Sequence, residues 1–197
     1  MPSSEPRPRR GLPENTRARL IRATAQTYNE FGLADTDVRR IVASAGYATG
    51  TFYRHFSDKH EALLAAWEWW IEVEWSPVLE AVRREGSARE RAEQVVDTAA
   101  GIHRKWHGLR VAMAAHAQVS PAAMAAYRAA QRGQASILGE VREAIGGAAR
   151  PREADLLVAM TLERILDANA SGELDALDIR WSAMRDLLVA QVTTALA

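Results

Sequence analysis

The chain has 197 residues, 25 Lys and Arg against 25 Asp and Glu, and no cysteine. Such a length buries a substantial core in one large or two small domains, and the absent thiols exclude disulfides, thiolate metal sites and cysteine catalysis, which fits a reducing cytoplasm. Alanine, arginine, leucine and glutamate dominate while alternating β patterns are scarce, so the expected fold is all-α; the spacing of apolar and stop residues along the chain places a three-helix head on a larger helical domain.

The opening stretch MPSSEPRPRRG lacks the apolar core of a secretory signal. No apolar run approaches the roughly 18 residues of a membrane span, so a cytoplasmic protein with no membrane partner is expected. Charge is uneven along the chain. Up to residue 60 there are ten Lys and Arg against six Asp and Glu, which suggests a polyanion-binding head on an acidic body, or a chance clustering on solvated helix faces.

Residues 1–13 are rich in Pro, Ser and Arg and are expected to be a disordered basic arm. Arg7, Arg9 and Arg10 serve either as a solubilising tail or as contacts to DNA phosphates or a minor groove. A helix is expected from Asn15 or Thr16 to about Phe31, with Leu20, Ile21, Ala25, Tyr28 and Phe31 at helical steps and Gly32 as its stop. Thr36 or Asp37 then caps a short helix whose Val38, Ile41, Val42 and Ala45 share an apolar face, ended by Gly46.

Thr49-Gly50-Thr51 opens the next helix, in which Phe52 and Phe56 share a buried face. Thr49, Thr51, Tyr53, Arg54 and His55 are left facing outward. Ser57 has the chemistry to cap the following helix, and Lys59 falls in its first turn, where the helix dipole disfavours a cation and a phosphate partner would favour it. Leu20, Phe31, Ile41, Phe52 and Phe56 would centre the head (14–60), anchored by a longer helix through Leu63, Leu64, Trp67, Trp70 and Ile71 to a break at Ser76-Pro77.

The segment TRARLIRATAQTYNEFGLADTDVRRIVASAGYATGTFYRHFSDKHEAL resembles the DNA-binding domain of the TetR family of one-component transcriptional regulators. The likeness rests on Ile41, Ala45-Gly46, the run from Gly50 to Phe56 and Lys59. It departs at Val42, Tyr47 and His60, of which Tyr47 alters the packing at the turn or adds a hydroxyl near DNA. The resemblance implies that Tyr53, His55 and Lys59 bind phosphates, that Thr49, Gly50 and Thr51 face base edges, and that Arg39 contacts guanine or phosphate, with Arg54 beside them. For Tyr53, packing beneath the helix is the alternative.

Further on, Ser87 and Glu90 form a capping-box pattern. The helix that follows has an apolar face of Val95, Val96, Ala99, Ile102, His103 and Trp106, and Gly108 is expected to break it. A short helix carries Val111 to Ala117, and Ser120-Pro121 starts another that ends at Gly146-Gly147. Two last helices, Pro151 to Ala170 and about Leu177 to Ala197, are apolar on more than one side, so a homodimer is expected through Leu156, Met160, Trp181, Met184, Leu188 and Val192.

Through LERILDANASGEL and SPAAMAAYRAA this half resembles the ligand domain of the ethionamide-resistance repressor subgroup, which implies a long apolar channel. Ala99, Ile102, His103, Trp106, Met113, Tyr127, Thr161 and Leu162 are its candidate ligand contacts, and each also suits a plain core. His103 and His107 stand four apart, but position 104 is arginine and no third ligand is placed, so no metal or other cofactor is expected. Glu68, Glu72 and Glu74 read as a solvated helix face.

The leading expectation is therefore a repressor, not an enzyme, released from a palindromic double-stranded DNA operator by a small apolar ligand. A small helical enzyme built around His103 and a ligand-independent DNA-binding protein stand as alternatives.

Overall fold

The computed structural model describes residues 15–197, and the basic arm expected at 1–13 lies outside the described residues. Among them there are eleven α-helices, one π-helical turn and no strand, as the composition leads one to expect. No helix of the described residues is long and apolar enough to cross a membrane.

Helix α1 (Thr16–Asp35) starts on Asn15, whose side chain accepts the Arg17 N–H at 2.8 Å. Its regular run breaks at Gly32, where φ is 71°. Thr36 is buried rather than capping: its hydroxyl donates to the Gly32 carbonyl at 2.7 Å, and Asp37 caps α2 (Val38–Ala45) by accepting the Arg40 N–H. Gly46 closes α2 in the left-handed conformation, φ 71° and ψ 36°, which a side chain would strain. Leu20, Ile41, Phe52 and Phe56 are buried beneath α3 (Thr49–Phe52), whereas Phe31 is only half-buried and carries the Arg40 guanidinium 4.3 Å above its ring.

Helix α4 (Lys59–Trp69) is capped by Asp58 and not by Ser57. Asp58 accepts the His60 and Glu61 N–H groups, while the Ser57 hydroxyl and N–H both donate to the Glu61 carboxylate. A π-helical turn, Trp70–Glu74, follows directly. In an α-helix, residues five apart point about 140° away from each other. The wider turn, closed by the Trp75 N–H to Trp70 carbonyl bond at 3.1 Å, brings Trp75 onto the face of Trp70, their ring centroids 5.6 Å apart.

The remaining helices are α5 (Ser76–Arg83), α6 (Ala88–Lys105), α7 (His107–Ala117), α8 (Pro121–Ala144), α9 (Arg152–Ser171), α10 (Glu173–Ala176) and α11 (Trp181–Leu196). The Ser87–Glu90 capping box and the Ser120 cap form as their spacing predicts. The break after α6 falls at Trp106, so Gly108 lies inside the first turn of α7 instead of ending α6. Residues 177–180 are a connection, and α11 starts only at Trp181.

Helix α6 is surrounded by α5, α9 and α11; α8 lies against α7 and α9; α1 packs on α7 and α4. At the far end of this body Arg142 and Asp155, 3% and 4% exposed, form a two-pronged ion pair, and Arg142 also donates to the Ala195 carbonyl. One guanidinium thus ties together α8, α9 and the end of α11. Losing either partner would leave a buried charge, at a cost of about 3–5 kcal/mol.

Candidate functional site

The outward face of the head is built on its buried aromatic floor. Phe52 and Phe56 hold the α3 turn down, 5.4 Å between ring centroids, and this leaves Tyr53 57% exposed. Packing beneath the helix is therefore excluded for Tyr53. Thr49, Gly50, Arg54 and Arg39 are exposed beside it, with Thr51 and His55 half-buried. Arg54 donates to the Thr51 hydroxyl at 3.0 Å, so these two side chains form one unit. Tyr47, Thr51, Arg54 and His55 line a concave surface with Asn15 and Thr16 at the start of α1. Tyr47 is half-buried under the Arg19 guanidinium, 5.4 Å from its centroid, which answers how the turn accommodates an aromatic residue.

Lys59 departs from its expected role. Its ammonium donates to the Thr36 carbonyl at 2.7 Å and to the Leu33 carbonyl at 3.3 Å, so its partner lies within the protein. The cation that looked misplaced at the N-terminus of α4 holds the connection between α1 and α2. Tyr28, buried on α1, donates to the Lys59 carbonyl and locks the same corner.

At its other end α4 reaches a cavity in the body. The outer chamber, about 340 Å³, is walled by Trp67, Glu68, Ile71 and Glu72 from α4 and the π turn, with Trp75 and Leu79, against Ala126, Ala130, Gln134 and Ile137 of α8. The inner chamber, about 40 Å³, shares Trp75, Leu79, Gln134 and Ile137 with it and extends to Val95, His103, Leu162 and Glu163. Of the eight expected ligand contacts, His103 and Leu162 line this cavity. Ala99, Ile102, Trp106 and Met113 are buried elsewhere in the core, Thr161 bonds the Leu157 carbonyl on its own helix, and Tyr127 stands behind Trp67, their rings stacked at 5.8 Å.

Behind the inner chamber lies a polar network that only the tertiary fold assembles. His103 Nδ1 meets Asp167 Oδ1 at 2.8 Å. Arg110 bridges Asp167 and Glu163, and Glu163 also accepts from the Tyr127 hydroxyl and the Gln131 amide, each at 3.0 Å. Burial pushes the His103 imidazole down to about 4, helped by the Arg110 charge and opposed by Asp167. At neutral pH the ring is neutral, and its Nδ1–H donates to Asp167. Burial works against the Asp167 charge, but hydrogen bonds from His103 and Arg110 outweigh it and hold the carboxyl well below the usual range. Sequence spacing hints at this pair of acids, since Glu163 and Asp167 are four apart on α9, but nothing local marks Arg110 as their partner.

The expected dimer face is corrected by burial. Leu188 and Val192 are 2% and 1% exposed and face the protomer's own core. Leu156, Trp181 and Met184 are half-buried, with Leu156 and Trp181 packed on that core. Met160 is exposed as expected at 50%, together with Leu157 at 64% and Leu187 at 66%. Leu157 borders a groove with Ala190, Gln191 and Thr194 between α9 and α11. The outward stripe of α11 is therefore the one through Leu187 and Gln191.

A helix-turn-helix head joined by one helix to an all-α body with an apolar cavity defines the class. Residues 20–66 match the family described as "Bacterial regulatory proteins, tetR family". The matched residues run from within α1, through the helix-turn-helix, into α4, so it is this segment that resembles the DNA-binding domain of that family. It is 42% identical over 59 residues, 30% of each chain, to the HTH-type transcriptional regulator BetI of Stenotrophomonas maltophilia. To the BetI of Escherichia coli it is 32% identical over 92 residues, 46% of this chain and 47% of that one. The match thus spans less than half the length of these curated relatives.

Solved structures of the same fold cover nearly the whole chain. The fatty acid degradation regulator FadR of Bacillus halodurans superposes with a TM-score of 0.70 at 16% identity, over 94% of this chain and 97% of that one. A TetR-family regulator from Rhodococcus sp. gives 0.73 at 17% identity, over 92% and 98%. FadR of Bacillus subtilis in complex with stearoyl-CoA gives 0.64 at 15% identity, over 90% and 98%.

Proposed function

We propose that this protein is a ligand-responsive, sequence-specific DNA-binding regulator: a cytoplasmic homodimeric repressor that leaves a palindromic operator when a small, mostly apolar molecule fills the cavity beneath α4. Residues 14–60 serve as the DNA-binding head and residues 61–197 as the ligand-binding and dimerisation body, and Arg7, Arg9 and Arg10 add contacts to DNA phosphates or a minor groove. Arg39, Tyr53, Arg54 and His55 supply phosphate contacts, and Thr49, Gly50 and Thr51 meet base edges. Leu157, Met160 and Leu187 of two protomers cover one another about a two-fold axis, which gives the operator its inverted half-sites.

The observation that carries this reading is the reach of α4. It is capped by Asp58, two residues after the Phe56 that floors the recognition turn, and its far end gives Trp67 and Glu68 to the cavity wall. A displacement at the wall therefore moves the support of the head, and a ligand shifts the balance only as far as it prefers the released geometry. That a protein of this fold was solved with stearoyl-CoA supports a ligand site in the body. The catalytic reading of His103 has less support: its Nδ1 is committed to Asp167, and the family acts through DNA.

Selection of bound sequences from a random duplex pool by the full-length chain tests the reading. An inverted repeat is expected, and recovery of unselected sequence would overturn it.

A further inference from the structure

His103 has two ring nitrogens, and the fold uses one of them. Nδ1 is spent on Asp167 at 2.8 Å, which keeps the proton of the neutral ring on that side and leaves Nε2 as a bare acceptor. Among the described residues Nε2 has no hydrogen-bond partner. The whole residue is 1% exposed, yet Nε2 is not sealed in the core as the unpartnered indole nitrogens of Trp67 and Trp70 are. The space that its ring borders is the inner chamber. Buried acceptors in a finished core are paired with protein, water or ligand, so this one calls for a partner inside the chamber.

Two further polar groups line the same space. Oε2 of Glu163 accepts one hydrogen bond, from Gln131, where a carboxylate oxygen has room for about two. Gln134 belongs to the lining of both chambers, and among the described residues its amide has no partner. The rest of the inner lining is apolar, with Val78, Val82, Val95 and Leu166 among it. Its volume is about 40 Å³, and since a water needs roughly 10–15 Å³ it admits a small polar end group and not a bulky one. The outer chamber, about 340 Å³, lies in the range of small-molecule sites and has room for the body of such a ligand.

We propose that the cavity takes an uncharged apolar molecule ending in a hydroxyl group, which enters the inner chamber and donates to His103 Nε2 while its hydrocarbon body lies against Trp75, Leu79 and Ile137. The proposal rests on the cavity being the ligand site of the preceding reading and names the class of ligand. A carboxylate at this depth would set a negative charge against Glu163 and an acceptor against an acceptor. An ammonium would bring three donors and lose its hydration among valines and leucines. A hydroxyl needs one acceptor and accepts in turn from the Gln134 amide.

The test uses the full-length protein and four probes that share one tail: 1-octanol, octyl methyl ether, octanoate and octylammonium. Binding is followed by calorimetry and by the fluorescence of Trp75, whose ring meets His103 edge-on at 5.7 Å. Octanol is expected to bind most tightly, although the ether is the more hydrophobic. In protein labelled with 15N at histidine, the Nε2 resonance of His103 should move on octanol binding as a bare acceptor gains a hydrogen bond, and stay in place with the ether. His103→Asn keeps an N–H for Asp167 and removes Nε2, so octanol should weaken by about tenfold while the ether changes little. If that variant does not fold, the comparison of probes and the Nε2 resonance decide the matter in the parent protein. An ether that binds as tightly as octanol would overturn the hydroxyl class and leave Nε2 to water, with the cavity still a ligand site. Tighter binding of octanoate or octylammonium would overturn the uncharged class, and an Nε2 resonance unmoved by bound octanol would overturn the role of His103. Absence of binding by all four would overturn the ligand site as well.

Discussion

The α-carbon of Gly108, in the first turn of α7, lies so close to Asn29 of α1 that a Cβ there would stand 2.0 Å from the Asn29 carbonyl oxygen. The Asn29 side chain completes the joint. Its Oδ1 accepts the Leu109 N–H at 3.1 Å and its Nδ2 donates to the Lys105 carbonyl at 2.9 Å. One asparagine of the head thus satisfies an orphan donor at the start of α7 and an orphan acceptor at the end of α6. Together with α4, this is the second firm link between head and body.

Gly108→Ala should force α1 and α7 apart, because the obstacle is backbone and cannot rotate away. A loss of about 1–3 kcal/mol is expected in urea unfolding, as for overpacking generally. Asn29→Ala should cost a similar amount by leaving the two backbone groups unpaired, about 1–3 kcal/mol. A Gly108→Ala variant as stable as the parent would show that the contact does not constrain the joint.

Acid should weaken the fold through two histidines. Burial lowers the His103 imidazole to about 4, and burial together with its stacked neighbour His60, 4.5 Å away, lowers His116. A histidine depressed in the folded state binds protons more readily when unfolded. Its contribution is therefore fully present above the ordinary imidazole value and is lost as pH falls from there towards the folded value. For His103 the loss between roughly pH 6.5 and its depressed value amounts to about 3 kcal/mol. Urea midpoints measured from pH 7.5 down to 4.5 should fall steeply, and His103→Gln should flatten the curve; an equal slope in both proteins would remove His103 as its source.

On DNA, Arg39→Ala and Tyr53→Phe should weaken binding to all sequences alike, with Arg39→Ala lowering the salt slope by about one unit. Thr49→Val and Thr51→Val should instead change preference at single base pairs by about 1–3 kcal/mol. Lys59→Ala is expected to lower thermal stability while leaving the salt slope unchanged, since its ammonium is spent on the Thr36 and Leu33 carbonyls. A reduced slope for that variant would return Lys59 to the phosphate contacts.

Leu187→Glu should dissociate the proposed homodimer and reduce operator affinity together, because it charges a side chain that is 66% exposed on the proposed seam. Leu188→Glu should unfold the protomer, because it places a carboxylate in the core. Sedimentation separates the two outcomes, and a Leu187→Glu protein that remains dimeric would move the seam elsewhere.

Much of the head, and some of the body, is legible in the sequence because the determinants are local. Gly46, the Phe52–Phe56 spacing and the Ser87–Glu90 cap all act within a few residues, and each forms as read. Errors enter where the deciding partner is distant in sequence. For Lys59 the sequence suggests a phosphate, because the carbonyls of Leu33 and Thr36 that hold it are invisible to a helical wheel. Leu188 and Leu187 are adjacent on an apolar helix, and only the packing of α6 and α9 against α11 determines which of them is buried. The cavity was displaced for a similar reason: the π turn at Trp70–Glu74 re-aims Trp75, and no periodicity announces an extra residue in a turn. Asn29 and Gly108, far apart in the chain, reveal their joint only in space.

The central claim is that occupancy of the cavity is transmitted along α4 to the head, and filling the cavity covalently tests it without any ligand. Ala130 lines the outer chamber opposite Trp67 and Glu68, so Ala130→Trp places an indole where a ligand body would lie. Operator affinity of this variant, measured by fluorescence anisotropy beside its thermal unfolding curve, should fall by about tenfold or more, a coupling of about 1.4 kcal/mol, while stability and dimerisation are retained. A folded, dimeric Ala130→Trp protein that binds its operator as tightly as the parent would contradict the account.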